Sequence, residues 1–159
     1  MTSPVLAEKR DVRISLRPVD RDNWRPVVDL HVTPAQQDFV SEVSRYLLLC
    51  HYGGNWRPLA VYQGEEVIGF LMWAIDAADE SCWLGGILID RDQQGRGYGR
   101  AAVRAAIALL AREQGRRHFA LSYNPANLVA QRLYLSLGFE ETGEWEDDEI
   151  VARLHLADG

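Results

Sequence analysis

The chain has 159 residues, of which 47% are hydrophobic and 25% charged, proportions that fit one globular domain and not a disordered polymer. Asp and Glu total 23 against 17 Lys and Arg, a formal net charge of -6, so phosphate-neutralising nucleic-acid binding is not expected. No stretch approaches the roughly 18 apolar residues of a membrane span, Met1 to Asp11 lacks the apolar core of a leader, and Cys50 and Cys82 stand in no ligand-like spacing; the expectation is a cytoplasmic protein with two buried thiols, no metal and no membrane contact.

Residues 1–11 read as a polar lead-in and residues 12–157 as the domain. Val12, Ile14 and Leu16 alternate with polar neighbours and predict a first strand, stopped by Pro18. Asp20 or Asp22 can cap a helix bearing Trp24, Val27, Val28 and Leu30. Thr33-Pro34 starts a second helix that runs to Leu49, with Phe39, Val40, Val43, Tyr46 and Leu47 at helical spacing. Gly53-Gly54-Asn55 is a loop. Leu59–Tyr62 and Val67–Ile75 form a hairpin around Gln63–Glu66, and Asp76–Ser81 is an acidic turn. Cys82–Ile89 is nearly all apolar, as in a central strand buried on both faces, although Gly85-Gly86 interrupts it. A glycine-rich turn leads into an Ala/Leu helix over Tyr98–Gln114 that Gly115 stops. Phe119–Tyr123 is a strand, Ala126–Leu137 a helix, and Phe139–Gly143 and Ile150–Leu156 are closing strands joined across the acidic Glu144–Glu149. The order of elements predicts a single mixed α/β layer structure.

The segment Gln94-Gly95-Arg96-Gly97-Tyr98-Gly99-Arg100 carries the chemistry. Glycines admit close approach of an anion to backbone N–H groups, and the start of the following helix adds unpaired donors and the positive end of its dipole. With Arg96 and Arg100 this makes a pyrophosphate cradle. A P-loop is excluded because the required GK[ST] is absent. Gly97-Tyr98-Gly99-Arg100-Ala101-Ala102 does fit GxGxxA, but the next strand, His118–Asn124, ends without the acid that would hold a ribose.

The turn resembles the Q/R-x-x-G-x-G/A signature of the GNAT superfamily of N-acetyltransferases. Asn127, Ala130, Leu133-Tyr134 and Leu137-Gly138-Phe139 resemble that superfamily's second motif, N-x-x-A-x-x-x-Y-x-x-x-G-F. The two together cover roughly residues 82–143. The resemblance implies an α/β (α+β) fold with a central, mixed but mostly antiparallel sheet, splayed at the acetyl-CoA site and flanked by about four helices. It implies that the backbone of Ile87, Leu88 and Ile89 pairs with the pantetheine arm like an added strand. Gln94, Gly95, Arg96, Gly97, Tyr98, Gly99 and Arg100 would hold the pyrophosphate, and Asn127 and Ala130, with Tyr134, would complete the cofactor site. Acetyl-CoA is then the cosubstrate and a small-molecule amine the acceptor. Tyr134 is the expected acid for the departing thiolate, since a phenol of pKa about 10 can donate to sulfur. Glu80 is the expected base, with Asp76, Glu42 and Glu149 as alternatives. Gly85 and Gly86 leave an opening beside the thioester. His31, His51, His118 and His155 fall in no triad or ligand spacing and are taken as structural.

A second resemblance, through Gln37-Asp38-Phe39-Val40 and Asp148-Glu149-Ile150-Val151, is to bacterial spermine/spermidine (diamine) acetyltransferases. It implies a polyamine acceptor, with Glu42 and Glu149 as amine contacts and the acidic run Glu144–Glu149 either receiving a polycation or forming a solvated turn. Acetylation of a peptide or antibiotic amine, and a non-catalytic acyl-CoA sensor, are the competing readings. Trp56, Trp83 and Trp145 are expected at the surface, where they would serve a homodimer interface or simply pack.

Overall fold

The computed structural model describes residues 13–157, so the expected lead-in and Val12 lie outside the described residues. In chain order come β1 (Ser15–Pro18), α1 (Trp24–Val28), α2 (Val43–Tyr52), β2 (Arg57–Gln63), β3 (Glu66–Ile75), β4 (Cys82–Ile89), α3 (Tyr98–Gln114), β5 (His118–Tyr123), α4 (Leu128–Ser136), β6 (Glu140–Glu146) and β7 (Glu149–His155). The strands form one sheet in the order β1-β2-β3-β4-β5-β7-β6. All neighbours are antiparallel except β4 and β5. That pair is joined through α3, because parallel strands need a crossover that returns the chain to the same end of the sheet. This is the expected mixed, mostly antiparallel α/β architecture.

Each face of the sheet carries its own core. On one face α3 presents Ala102, Val103, Ala106 and Leu110, all buried, at successive spacings of one, three and four residues. Three small or β-branched side chains in that stripe let the helix sit close against Leu59, Val61, Leu71, Leu84 and Phe119. Gly115 ends α3 in the left-handed conformation (φ 65°), and the Arg116 N–H closes back on the Leu110 carbonyl at 3.2 Å. On the other face Val27, Leu30 and Val43 pack on Ala60, Tyr62, Phe70, Met72 and Leu88. Cys50 and Cys82 are free thiols, pushed up to about 11 and about 12 by desolvation; Cys82 is buried as expected, whereas Cys50 is only half-buried at the edge of its cluster.

Two features decide where a ligand can enter. The pairing of β4 with β5 lasts only for Cys82↔Phe119 and Trp83↔Ala120. Beyond it β4 stays bonded to β3 as far as Ile89, and β5 stays bonded to β7 as far as Tyr123. The two halves of the sheet therefore part, leaving unpaired backbone along β4. The second feature is the Gly85-Gly86 interruption, which is a bulge: Phe70 pairs Leu88 and Met72 pairs Gly85, so the registers differ by one residue. Gly86 has φ 58°, and a Cβ there would sit 3.2 Å from the Phe70 ring and 3.3 Å from the Tyr46 ring. Conformation and space both demand glycine.

The segment from Thr33 to Leu49 is not one helix. A 3-10 turn over Pro34–Asp38 stops, and α2 starts at Val43 behind an extended Glu42 (ψ 147°). Side-chain bonds, two local and one long-range, accompany the break in the helical pattern. The Gln36 side-chain oxygen accepts from the Thr33 N–H at 3.3 Å and from the Gln94 amide at 2.7 Å, and the Ser41 N–H donates to the Tyr46 hydroxyl at 3.0 Å. The acidic run also differs from a loop, because Glu144–Glu146 belong to β6 and only Asp147 and Asp148 make the turn, Asp147 with φ 53°.

Candidate active site

Where β4 and β5 part, a cleft of about 720 Å³ opens. Its floor is the bulged half of β4, Gly85–Ile89. The glycine turn forms one end, Asp76, Glu146 and Glu149 are the carboxylates of the lining, and Tyr134 stands on the wall contributed by α4.

At the first end the backbone does the work. Gly95 (φ 79°) and Gly97 (φ 81°) are left-handed, with no atom within 4 Å of where a Cβ would stand. Conformation, not space, therefore favours glycine there, and the space above the turn is open. Gly97 is the N-cap of α3, and its carbonyl accepts from Ala101 N–H at 3.1 Å. The amides of Tyr98, Gly99 and Arg100 thus have no acceptor within the helix, as at any helix start. Arg100 is pinned to the end of α4 by donating to the Ser136 hydroxyl and carbonyl. Gln94 turns inward: its amide donates to the Ile89 carbonyl at 2.9 Å as well as to Gln36, stapling the turn to the end of β4. Arg96 is exposed, bonded to Gln93 at 3.2 Å, and does not line the cleft. The open turn, the bare β4 edge and the unpaired amides fit a diphosphate carried on an extended amide-bearing arm.

Asn127 and Ala130 also line the cleft. Asn127 is the N-cap of α4, and its Oδ1 accepts from the Ala130 N–H at 3.2 Å. That bond assigns the amide orientation: the oxygen faces the helix, and the Nδ2 group is left to donate elsewhere.

Tyr134 is 9% exposed and packs edge-on to Phe139 and tilted to Tyr123, with ring centroids 6.2 and 5.7 Å apart. Burial first, then the negative charge of Glu149 and the neighbouring phenols of Tyr46 and Tyr123, push its hydroxyl well above the usual tyrosine value. The group therefore stays protonated, the state a proton donor needs. Glu149 opens β7, and its Oε1 accepts from the Ser122 hydroxyl at 2.8 Å. Glu146 lies directly across the hairpin from Glu149.

Glu80 and Glu42 are not brought to the cleft. Glu80 occupies a left-handed position (φ 61°) in the exposed β3–β4 turn, where its N–H donates to the Asp76 carbonyl at 2.8 Å. Glu42 is the exposed N-cap of α2. Neither lines the cavity, whereas Ile87, Leu88, Ile89, Gln94, Gly95, Gly97, Tyr98, Gly99 and Arg100 do. Within the acidic run, Glu144 is drawn away by Arg153, whose guanidinium bonds it at 2.8 and 3.1 Å and also reaches Asp79 at 3.2 Å. The Arg153 bonds hold the Glu144 carboxyl below its ordinary range. Trp56 and Trp83 are half-buried cleft residues, and only Trp145, 59% exposed, sits at the surface as expected. Sequence reasoning missed Ser122 and Tyr46. Ser122 looked like one polar residue in a strand, and Tyr46 like part of a helical apolar stripe. The alternation of Ser122 with buried Leu121 and Tyr123 was the one available signal.

A divergent sheet edge, a glycine turn at a helix start and a buried phenol above them define an acyltransferase cleft. A sequence profile of the Acetyltransferase (GNAT) family matches residues 24–139, and the chain belongs to that family. It is 30% identical over 140 residues to the spermine/spermidine N(1)-acetyltransferase of Bacillus subtilis, spanning 82% of this chain and 90% of that protein. Among solved structures it is similar to spermidine N-acetyltransferase from Vibrio cholerae in complex with CoA and spermine, with a TM-score of 0.71 and 19% identity over 92% of this chain and 96% of that one. It is also similar to an aminoglycoside acetyltransferase in complex with coenzyme A and kanamycin, with a TM-score of 0.74 and 18% identity over 90% of this chain and 95% of that one.

Proposed function

We propose that the protein transfers an acetyl group from acetyl-CoA to a primary amine of a polyamine of the spermidine or spermine class. The observation that carries the transfer chemistry is the meeting, in one cleft, of the Tyr134 phenol and the Glu149 carboxylate beside the bare edge of β4. The polyamine assignment rests on the 30% identical relative and on the charge of the cleft. Its lining carries three carboxylates, Asp76, Glu146 and Glu149, against the single guanidinium of Arg100, which is tied to Ser136. An acidic lining attracts an alkylammonium, and the aromatic walls Tyr46, Trp56 and Trp83 suit the methylenes and the cations between them.

In this reading the amide groups of Gly95 to Arg100 hold the diphosphate, the exposed backbone of Ile87–Ile89 pairs with the pantetheine arm, and the Asn127 Nδ2 group donates to one of its carbonyls. Glu149 receives the acceptor ammonium and takes its proton. The freed amine nitrogen attacks the thioester carbonyl and a C–N bond forms; the nitrogen then sheds its second proton to solvent as the C–S bond breaks. Tyr134 gives its proton to the departing sulfur, so the products are the N-acetylamine and the free thiol, with no charge left on sulfur. The Glu149 proton returns to solvent and Tyr134 recovers one from it. The test is thiol release from acetyl-CoA with spermidine, spermine, putrescine, lysine peptides and aminoglycosides. Release with spermidine or spermine that collapses in Tyr134→Phe is expected. Release only with a peptide or an aminoglycoside would overturn the polyamine assignment.

A further inference from the structure

We propose that Ser122 is a positioning residue for the amine-binding carboxylate: its hydroxyl fixes one oxygen of Glu149 so that the other faces the acceptor. This rests on the reading of the cleft as an amine acetyltransferase site. Ser122 pairs with Val151 in the β5–β7 ladder, which makes Glu149 its diagonal neighbour on the same face of the sheet. The Ser122 hydroxyl donates to Glu149 Oε1 at 2.8 Å, and both side chains line the cleft.

The position has a topological cause. β5 loses its β4 neighbour after Ala120, so Ser122 is the first residue on that face of β5 beyond the last β4 pairing. It reaches into the gap from a strand still locked to β7 along its whole length. Glu149 is the first residue of β7, next to the two-residue turn, and a glutamate there has three freely rotating side-chain bonds to lose on binding an amine. A short hydroxyl on a rigid strand removes that freedom before the acceptor arrives. It also commits Oε1 and leaves Oε2 as the open acceptor for an ammonium. Among the described residues Glu149 has no cationic partner, in contrast to Glu144, which Arg153 neutralises. The carboxylate at the cleft is thus held by a neutral donor that orients it without cancelling the charge needed for the amine.

The experiment is steady-state kinetics with spermidine and acetyl-CoA on the wild type, Ser122→Ala, Ser122→Thr, Glu149→Ala and the Ser122→Ala/Glu149→Ala pair, with thermal unfolding of each. Loss of the hydroxyl should lower kcat/KM for spermidine about tenfold, the scale of one hydrogen bond to a charged group. The KM for acetyl-CoA and the Tm should stay at wild-type values. Ser122→Thr should restore the rate, and in the Glu149→Ala background Ser122→Ala should cost nothing further. Wild-type kinetics in Ser122→Ala, an equal loss in the Glu149→Ala background, or a loss that comes with a changed acetyl-CoA KM or a lowered Tm would overturn the positioning role alone. A wild type that does not turn over spermidine, or any amine of the panel above, would overturn both this inference and the reading on which it rests.

Discussion

At the glycine turn the cleft is walled by backbone. Two left-handed glycines, a helix start and a strand edge supply the donors, and all lie within Ile87 to Arg100. Its other walls are built of side chains: Tyr46, Asp76, Ser122, Glu146 and Glu149 come from α2, the β3–β4 turn, β5 and the β6–β7 hairpin. A backbone site depends on conformation, so it is written in glycines at short spacing. A side-chain site depends on convergence, so its residues can lie anywhere that the sheet brings together. The first kind suits a ligand part that never changes; the second can be retuned for different acceptors one side chain at a time.

Substitutions can break or sharpen this contrast. The largest effect belongs to Tyr134, which serves the reacting bond between the two ends. Tyr134→Phe should lower kcat by about 10²–10⁴-fold, with both KM values close to wild type and the fold intact, read by thiol release and Tm. Because the phenol is raised above its ordinary value, its neutral donor form persists as pH rises. The wild-type kcat should therefore show no loss from phenol ionisation up to about pH 10, the ordinary tyrosine value.

Next is Gly97→Val at the backbone end. The left-handed φ of 81° is strained for any residue with a β-branch, costing about 1–3 kcal/mol. The expected result is a raised KM for acetyl-CoA and a lower Tm, with the spermidine KM little changed; a change in spermidine KM instead would erase the division of labour. Glu149→Gln tests the side-chain part of the site in the opposite sense. It removes the base as well as the ammonium contact and should lower kcat/KM for spermidine by about 10²-fold or more, with saturation by acetyl-CoA unchanged. The smallest effect is expected for Glu80→Gln, an exposed turn residue outside the cleft, whose rate should stay within about twofold of wild type. A large loss there would return the base to the β3–β4 turn.

Sequence by itself determined the strand-turn-helix that ends β4 and starts α3, the extents of α3 and β5, the second motif around Asn127 and Tyr134, and through them the family. These are local matters: φ-permissive glycines, an Ala/Leu stripe with a glycine stop, and an apolar run. Only the tertiary structure decided the other half of the site. The break between Pro34–Asp38 and α2 is accompanied by a bond from Gln94, 58 residues away, to Gln36, and no helical periodicity could announce it. Of the acids in the sequence, Glu149 was kept for the cleft because it starts β7 beside Ser122, Glu144 was drawn off by Arg153, and Glu80 was turned outward at the end of a hairpin. A carboxylate reads alike wherever it stands in a sequence. What it can do depends on which strand edge carries it and which charge lies within a few ångströms, and those are set by the pairing of strands far apart in the chain.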